Sequence, residues 1–136
     1  MILIACVDDR MGMMFHHRRQ SRDREVCRDI QKTCKEQCLY LEAYSVKLFR
    51  DIKFDNIREI ETGISGDLRG NYFFVEDPQM IKEEAIERII LYRWNRVYPA
   101  DQYFPVDPDH WQLTLKEEFS GYSHEKITKE IYERKI

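Results

Sequence analysis

Residues 111–134 read WQLTLKEEFSGYSHEKITKEIYER, and their pattern decides how the chain ends. From Trp111 to Phe119 the side chains alternate, with Trp111, Leu113 and Leu115 set against Gln112, Thr114 and Lys116. That is the period of two expected of a strand with one buried face. Lys126 to Arg134 repeats the alternation less cleanly, through Ile127 and Ile131. Gly121-Tyr122-Ser123 lies between them as a turn, so the chain closes in an antiparallel hairpin.

Upstream the period changes. Arg88 to Trp94 (RIILYRW), Asn71 to Val75 (NYFFV) and Met1 to Val7 (MILIACV) are nearly continuous apolar runs of strand length, as found in strands covered on both faces. A helix is expected from Ser21, a good N-cap, with Asp23 and Glu25 in the first turn and Val26, Ile30 and Cys34 repeating at four, ending near Lys35. Cys38 to Leu41 is a further short apolar run, followed by a short helix through Ala43, Val46 and Phe49. Residues 55–61 read as a more exposed strand, Gly63, Gly66 and Gly70 mark a loop, and Pro78 opens a helix through Ile86. Residues 11–20 (MGMMFHHRRQ) have no period and contain Gly12, so they read as a loop. Strand and helix thus alternate before the hairpin, which predicts an α/β protein with a largely parallel sheet.

At 136 residues the chain is expected to form a single domain, 1–136, with a core large enough to need no staples. The hydrophobic share of 43% excludes a disordered chain, and the net charge of −3 excludes a global positive field that would draw in nucleic acid or an anionic membrane. No apolar run approaches the roughly 20 residues of a membrane span. Met1 to Val7 lacks a basic flank and runs into Asp8-Asp9, unlike a signal peptide. A cytoplasmic location is expected, with Cys6, Cys27, Cys34 and Cys38 reduced. Cys27, Cys34 and Cys38 could supply three metal ligands, but no C-x-x-C pair is present. No metal site is assigned, and the thiols read as small core residues.

Arg88-Ile-Ile-Leu-Tyr-Arg93, Asp101-Gln-Tyr-Phe-Pro105, Pro108-Asp-His-Trp111, Glu117-Glu-Phe119 and Ile131-Tyr-Glu-Arg-Lys135 together resemble, in order and spacing, the last third of dihydrofolate reductase. The apolar strand, acidic loop start, glycine and acid-bearing helix of residues 1–45 are similar to the N-terminus of that family. The resemblance implies a dihydrofolate-reductase-like three-layer fold: a twisted mixed sheet ending in an antiparallel hairpin, with helices on both faces.

It also implies where chemistry would sit. The family's Gly-Gly pair, which lets backbone approach the cofactor pyrophosphate, corresponds here to Phe73-Phe74-Val75-Glu76-Asp77-Pro78, without glycine and with two carboxylates. Of its phosphate-holding Gly-Arg-x-Thr segment, Glu42-Ala43-Tyr44-Ser45 keeps only the hydroxyl of Ser45. No cofactor is therefore expected, with NADPH as the alternative. Asp23 matches the family's catalytic acid by position. In an apolar pocket its pKa would rise to suit proton delivery, but Arg22 and Arg24 flank it, and the other reading is a first-turn acid favoured by the helix dipole. The family's loop Pro-Trp is Arg18-Arg19 here, and its strand threonine near the substrate is Tyr92.

A basic run, His16-His17-Arg18-Arg19-Gln20-Ser21-Arg22-Asp23-Arg24, leads into the helix. Residues 10–32 hold seven cations (Arg10, Arg18, Arg19, Arg22, Arg24, Arg28, Lys32) against three acids (Asp23, Glu25, Asp29), a local +4. A solvated charge run is the plain reading. The functional one is an anion site built from Arg10, His16, His17, Arg18, Arg19 and Arg22 with Ser45 and Tyr92, because guanidinium forks and free helix amides both suit phosphate or carboxylate. The expected partner is a phosphate- or carboxylate-bearing small molecule, bound by a reductase-fold protein that has lost its nicotinamide chemistry. One alternative is an active NADPH-dependent reductase of pterin or folate type with a diverged cofactor site. The other is nucleic-acid binding or phosphodiester cleavage, with His16 and His17 as acid and base.

Overall fold

The computed structural model describes residues 1–61 and 69–135. Gly63 and Gly66 lie outside the described residues. Among the described residues the strands are β1 (Ile2–Val7), β2 (Gly12–Phe15), β3 (Arg18–Arg19), β4 (Leu39–Glu42), β5 (Ile57–Ile60), β6 (Tyr72–Phe74), β7 (Arg88–Arg93), β8 (Gln102–Tyr103), β9 (Trp111–Phe119) and β10 (Ile127–Arg134). The α-helices are α1 (Arg24–Cys34) and α2 (Ala43–Arg50).

Seven strands form one mixed sheet in the order β5-β4-β6-β1-β7-β10-β9. β5, β4, β6, β1 and β7 run parallel, and β10 pairs antiparallel with both β7 and β9. The expected parallel sheet closed by a hairpin is therefore present. Alternation along β1 explains its unbroken apolar run. Ile2 and Ile4 enter a cluster with Val26, Ile30, Leu41, Phe49, Ile90 and Trp94. Leu3, Ala5 and Val7 enter a second cluster on the opposite face with Ile89, Leu91, Phe104 and Trp111. A strand covered on both faces has no polar side to show.

Both α-helices contribute to the first cluster. The second face is closed by the small sheet β3-β2-β8, through Met13 and Met14, and by single 3-10 turns. The helix expected from Pro78 through Ile86 is two such turns, Pro78–Met80 and Glu83–Ala85. Each is stopped by an isoleucine in extended backbone, Ile81 or Ile86, and Ile86 is buried in the second cluster. Docking these side chains onto the sheet outweighs continuing the helix.

Residues 11–20 are not an irregular loop. Met14 pairs with Arg19 and Phe15 with Arg18, leaving His16 (φ 49°) and His17 (φ 61°) as the two-residue turn of a tight hairpin. Positive φ at both centres is the geometry that matches strand twist, and it usually selects Asn-Gly. Histidine tolerates it at a cost. Replacing His17 with glycine is therefore expected to raise stability by about 0.5–1 kcal/mol, read as a higher urea midpoint at unchanged m-value. An unchanged or lower midpoint would show that the turn carries no strain.

Candidate active site

The carboxyl ends of β1, β6 and β7 open into a small cleft, roofed by residues 19–23 and walled by α1. Cys6, Phe74, Glu76 and Trp94 come from the strand ends, and Arg19, Ser21, Arg22 and Asp23 come from the roof. In sheets of this kind the crevice beyond the carboxyl ends of the strands is the usual ligand position.

Asp23, not Ser21, caps α1: its Oδ1 accepts the Glu25 amide at 2.9 Å. A carboxylate has spare acceptor capacity, and the hairpin turn uses it. The amides of Tyr122 (2.8 Å), Ser123 (2.9 Å) and His124 (3.1 Å) donate to Asp23, as does His124 Nδ1 (2.9 Å). A Cβ on Gly121 would stand 2.6 Å from Asp23 Oδ2, so only glycine lets the turn close over the carboxylate. Burial alone would raise the pKa of Asp23. The donors from Tyr122, His124, Ser123 and Glu25 outweigh it and hold the group down to about 2. That is the reverse of the raised value that proton delivery from this carboxyl would require.

His124 is buried, stacked on Trp94 with ring centroids 4.6 Å apart. Its Nε2 lies 2.8 Å from the Tyr98 hydroxyl and 3.1 Å from Ser21 Oγ. On the other side of the roof, Asp8 is wholly buried and accepts from the amides of Arg10, Gly12 and Tyr98 and from Gln20 Nε2. Its pKa, pushed up by burial, is brought below the ordinary value by those bonds. Neither His124 nor Asp8 was singled out from the sequence. Asp8 read as the acidic stop of β1, and His124 is a lone histidine in a turn, with its partners Ser21 and Asp23 about a hundred residues away.

The expected anion residues separate into groups. Arg19 is clamped: Nε and Nη2 donate to Glu76 at 2.7 and 3.0 Å, and its guanidinium lies 4.2 Å over the Tyr44 ring. Ser45 is buried and donates to the same Glu76 at 2.7 Å. Arg22 lines the cleft and a second hollow beside it, and among the described residues its guanidinium has no ion-pair partner. His16, His17 and Arg18 are exposed on the β2–β3 hairpin outside the cleft, and Arg10 is exposed in the turn after β1. Tyr92 does not reach the cleft. It is fully buried and donates to Asp29 Oδ2 at 2.6 Å, in a network with Lys129 and Thr33 further along α1.

The cysteines are free. Cys27 and Cys34 face the core from α1, and burial pushes their thiols up to about 12. Cys38 accepts from Arg58 Nε. Among the described residues no group of three or more His, Cys, Asp or Glu is placed to hold a metal ion, and no helix is long and apolar enough to cross a membrane.

A mixed sheet ordered this way, with a cleft at the carboxyl ends of its central strands under the loop after β1, defines a protein of the dihydrofolate-reductase fold. The solved structure of dihydrofolate reductase from Enterococcus faecalis, complexed with NADP(H) and RAB-propyl, superimposes with a TM-score of 0.71 over 99% of this chain and 96% of that one, at 11% sequence identity. No protein-family model matches the chain, and no curated protein matches it in sequence.

The depressed pKa of Asp23 has a consequence for stability. With its folded value below the ordinary one near 4, the carboxylate stabilises the fold fully above that value and ceases to do so as pH falls through about 2. Urea denaturation is expected to show about 2 kcal/mol lost over this range through this group. Asp23→Asn should be less stable at pH 7 by about 2–4 kcal/mol and show a flatter acid limb. Parallel acid limbs in the two proteins would contradict the assignment.

Proposed function

We propose that this chain keeps the dihydrofolate-reductase fold without nicotinamide-dependent reduction, and binds a small phosphate- or carboxylate-bearing molecule in the cleft beneath residues 10–24. The observation that carries the reading is the Arg19–Glu76–Ser45 cluster at the end of β6. The resemblance puts a glycine pair here, where backbone meets pyrophosphate. In this chain a carboxylate occupies the place, held by three hydrogen bonds from Arg19 and Ser45, with Asp77 and Pro78 following and two 3-10 turns in place of an α-helix. A dinucleotide pyrophosphate at the end of β6 would meet two carboxylates, one of them already bonded to Ser45 in the first turn of α2, the opposite of the arrangement that binds phosphate. The residues present do not fit the dinucleotide.

Anion binding is supported by Arg22. Arg19 is neutralised by Glu76 and Asp23 is satisfied by its donors, so Arg22 is the cation of the cleft with charge left for a ligand. The NADP(H)-bound neighbour favours a second reading, a reductase with a diverged cofactor site.

Calorimetric titration separates the two. NADPH and NADP+ are expected to give no heat up to about 100 μM protein and ligand, a level at which a micromolar site would be saturated. Inorganic pyrophosphate should bind, and Arg22→Ala should weaken it about tenfold or more. Micromolar NADPH binding would overturn the first reading and favour the second, and pyrophosphate affinity unaltered in Arg22→Ala would remove the anion site.

A further inference from the structure

Ser21 lines the cleft, half-buried, with its Oγ 3.1 Å from Nε2 of His124. The same imidazole presents Nδ1 to Asp23 Oδ2 at 2.9 Å. A carboxylate can only accept, so Nδ1 carries a proton, and in the neutral ring Nε2 turns its lone pair toward the hydroxyls of Ser21 and Tyr98. The ring is held on its flat side by Trp94 and is shielded from water, with 3% of its surface exposed. Nucleophile, base and orienting carboxylate stand in hydrogen-bond sequence, the relation by which such constellations are recognised regardless of chain order.

We propose that Ser21, His124 and Asp23 form a serine-nucleophile triad opening into the cleft, and that the chain hydrolyses an ester of a small carboxylic acid whose own anionic group is held by Arg22. The nucleophile stands on the geometry alone, whereas the anionic character of the substrate rests on the reading of Arg22 given above. Ser21 Oγ attacks the ester carbonyl carbon as its proton passes to His124 Nε2. The carbon–oxygen bond to the alcohol then breaks, and the departing alkoxide takes the proton from Nε2. Water, deprotonated by the same nitrogen, attacks the acyl-serine, releasing the carboxylic acid and restoring the Ser21 hydroxyl.

Tyr98 fits this cycle. Its hydroxyl is 3.4 Å from Ser21 Oγ and 2.8 Å from Nε2. With the ring neutral, the Tyr98 hydroxyl at 2.8 Å donates to Nε2 beside the Ser21 hydroxyl at 3.1 Å, and Nδ1–H donates to Asp23. Once Nε2 is protonated, the Tyr98 oxygen is placed to accept its N–H and hold the imidazolium. The depressed pKa of Asp23 keeps that carboxylate ionised opposite the imidazolium throughout. Arg22, next in the chain to Ser21, places a positive charge at the same mouth.

The test uses the full chain with a neutral alkyl fluorophosphonate, read by intact mass and peptide mapping. A single adduct on Ser21 is expected. It should be absent in Ser21→Ala and form at least about tenfold more slowly in His124→Gln, with folding of both variants checked by circular dichroism. Should His124→Gln not fold, the pH dependence of wild-type labelling replaces it, and a rate that does not vary between pH 5 and 8 counts against a histidine base. Hydrolysis of 4-nitrophenyl acetate is then compared with that of its mono-succinate analogue. The anionic ester is expected to be preferred about tenfold or more, and Arg22→Ala should abolish the preference. No adduct on Ser21 overturns the triad even if pyrophosphate still binds at Arg22. An adduct without preference for the anionic ester overturns the anionic substrate class and the Arg22 reading while the nucleophile stands.

Discussion

One buried carboxylate joins the two halves of this chain. Asp23 caps α1, and the same two oxygens receive three successive amides and the imidazole of the turn between β9 and β10, about a hundred residues later. Removing an acceptor from beneath several buried donors costs more than any one of those bonds contributes. The turn cannot move away from the helix without exposing that deficit, so the roof of the cleft is fixed against the floor. Gly121 makes the approach possible, and Trp94 at the end of β7 holds the imidazole from behind.

A second buried carboxylate, Asp8, does the same for the other side of the roof. It gathers the amides of Arg10, Gly12 and Tyr98 and the side chain of Gln20. Tyr98 is held through its backbone by Asp8 and presents its hydroxyl to the His124 centre. The loop after β1, the loop after β7 and the last hairpin thus meet over the strand ends through polar contacts with long sequence separation. Glu76 at the end of β6, held by Arg19 and Ser45, completes the rim.

The fold was legible where burial imposes a period. β1 and β7, covered on both faces, show as unbroken apolar runs, whereas the alternation of β9 overstated its buried face: on this edge strand Trp111 is buried and Leu115 half-buried, but Leu113 is exposed, where a bulge against β10 shifts the register. Residues 78–86 misled because a proline with helix formers after it is a helix start by local rules, while the side chains of Ile81 and Ile86 are drawn onto the sheet. The β2–β3 hairpin was hidden by its turn: His16-His17 supplies positive φ without the glycine that usually signals it. Of the basic run before α1, Arg19, Arg22 and Asp23 line the cleft, while His16, His17 and Arg18 lie outside it. What one stretch of sequence could not show is that Arg19 is neutralised by Glu76, that Tyr92 turns toward Asp29, or that a single histidine in a distant turn joins Ser21 and Asp23.

The helix and the last hairpin meet at the buried contact between Asp23 and His124, and nitrogen-15 NMR of the histidine rings reads it most directly. With the resonance assigned through His124→Gln, the neutral ring of His124 is expected as one tautomer, protonated at Nδ1, with a slowly exchanging N–H proton shifted downfield by its bond to the carboxylate. A ring protonated at Nε2 instead, or averaged between the two tautomers as in free solution, would contradict the arrangement on which the cleft is built.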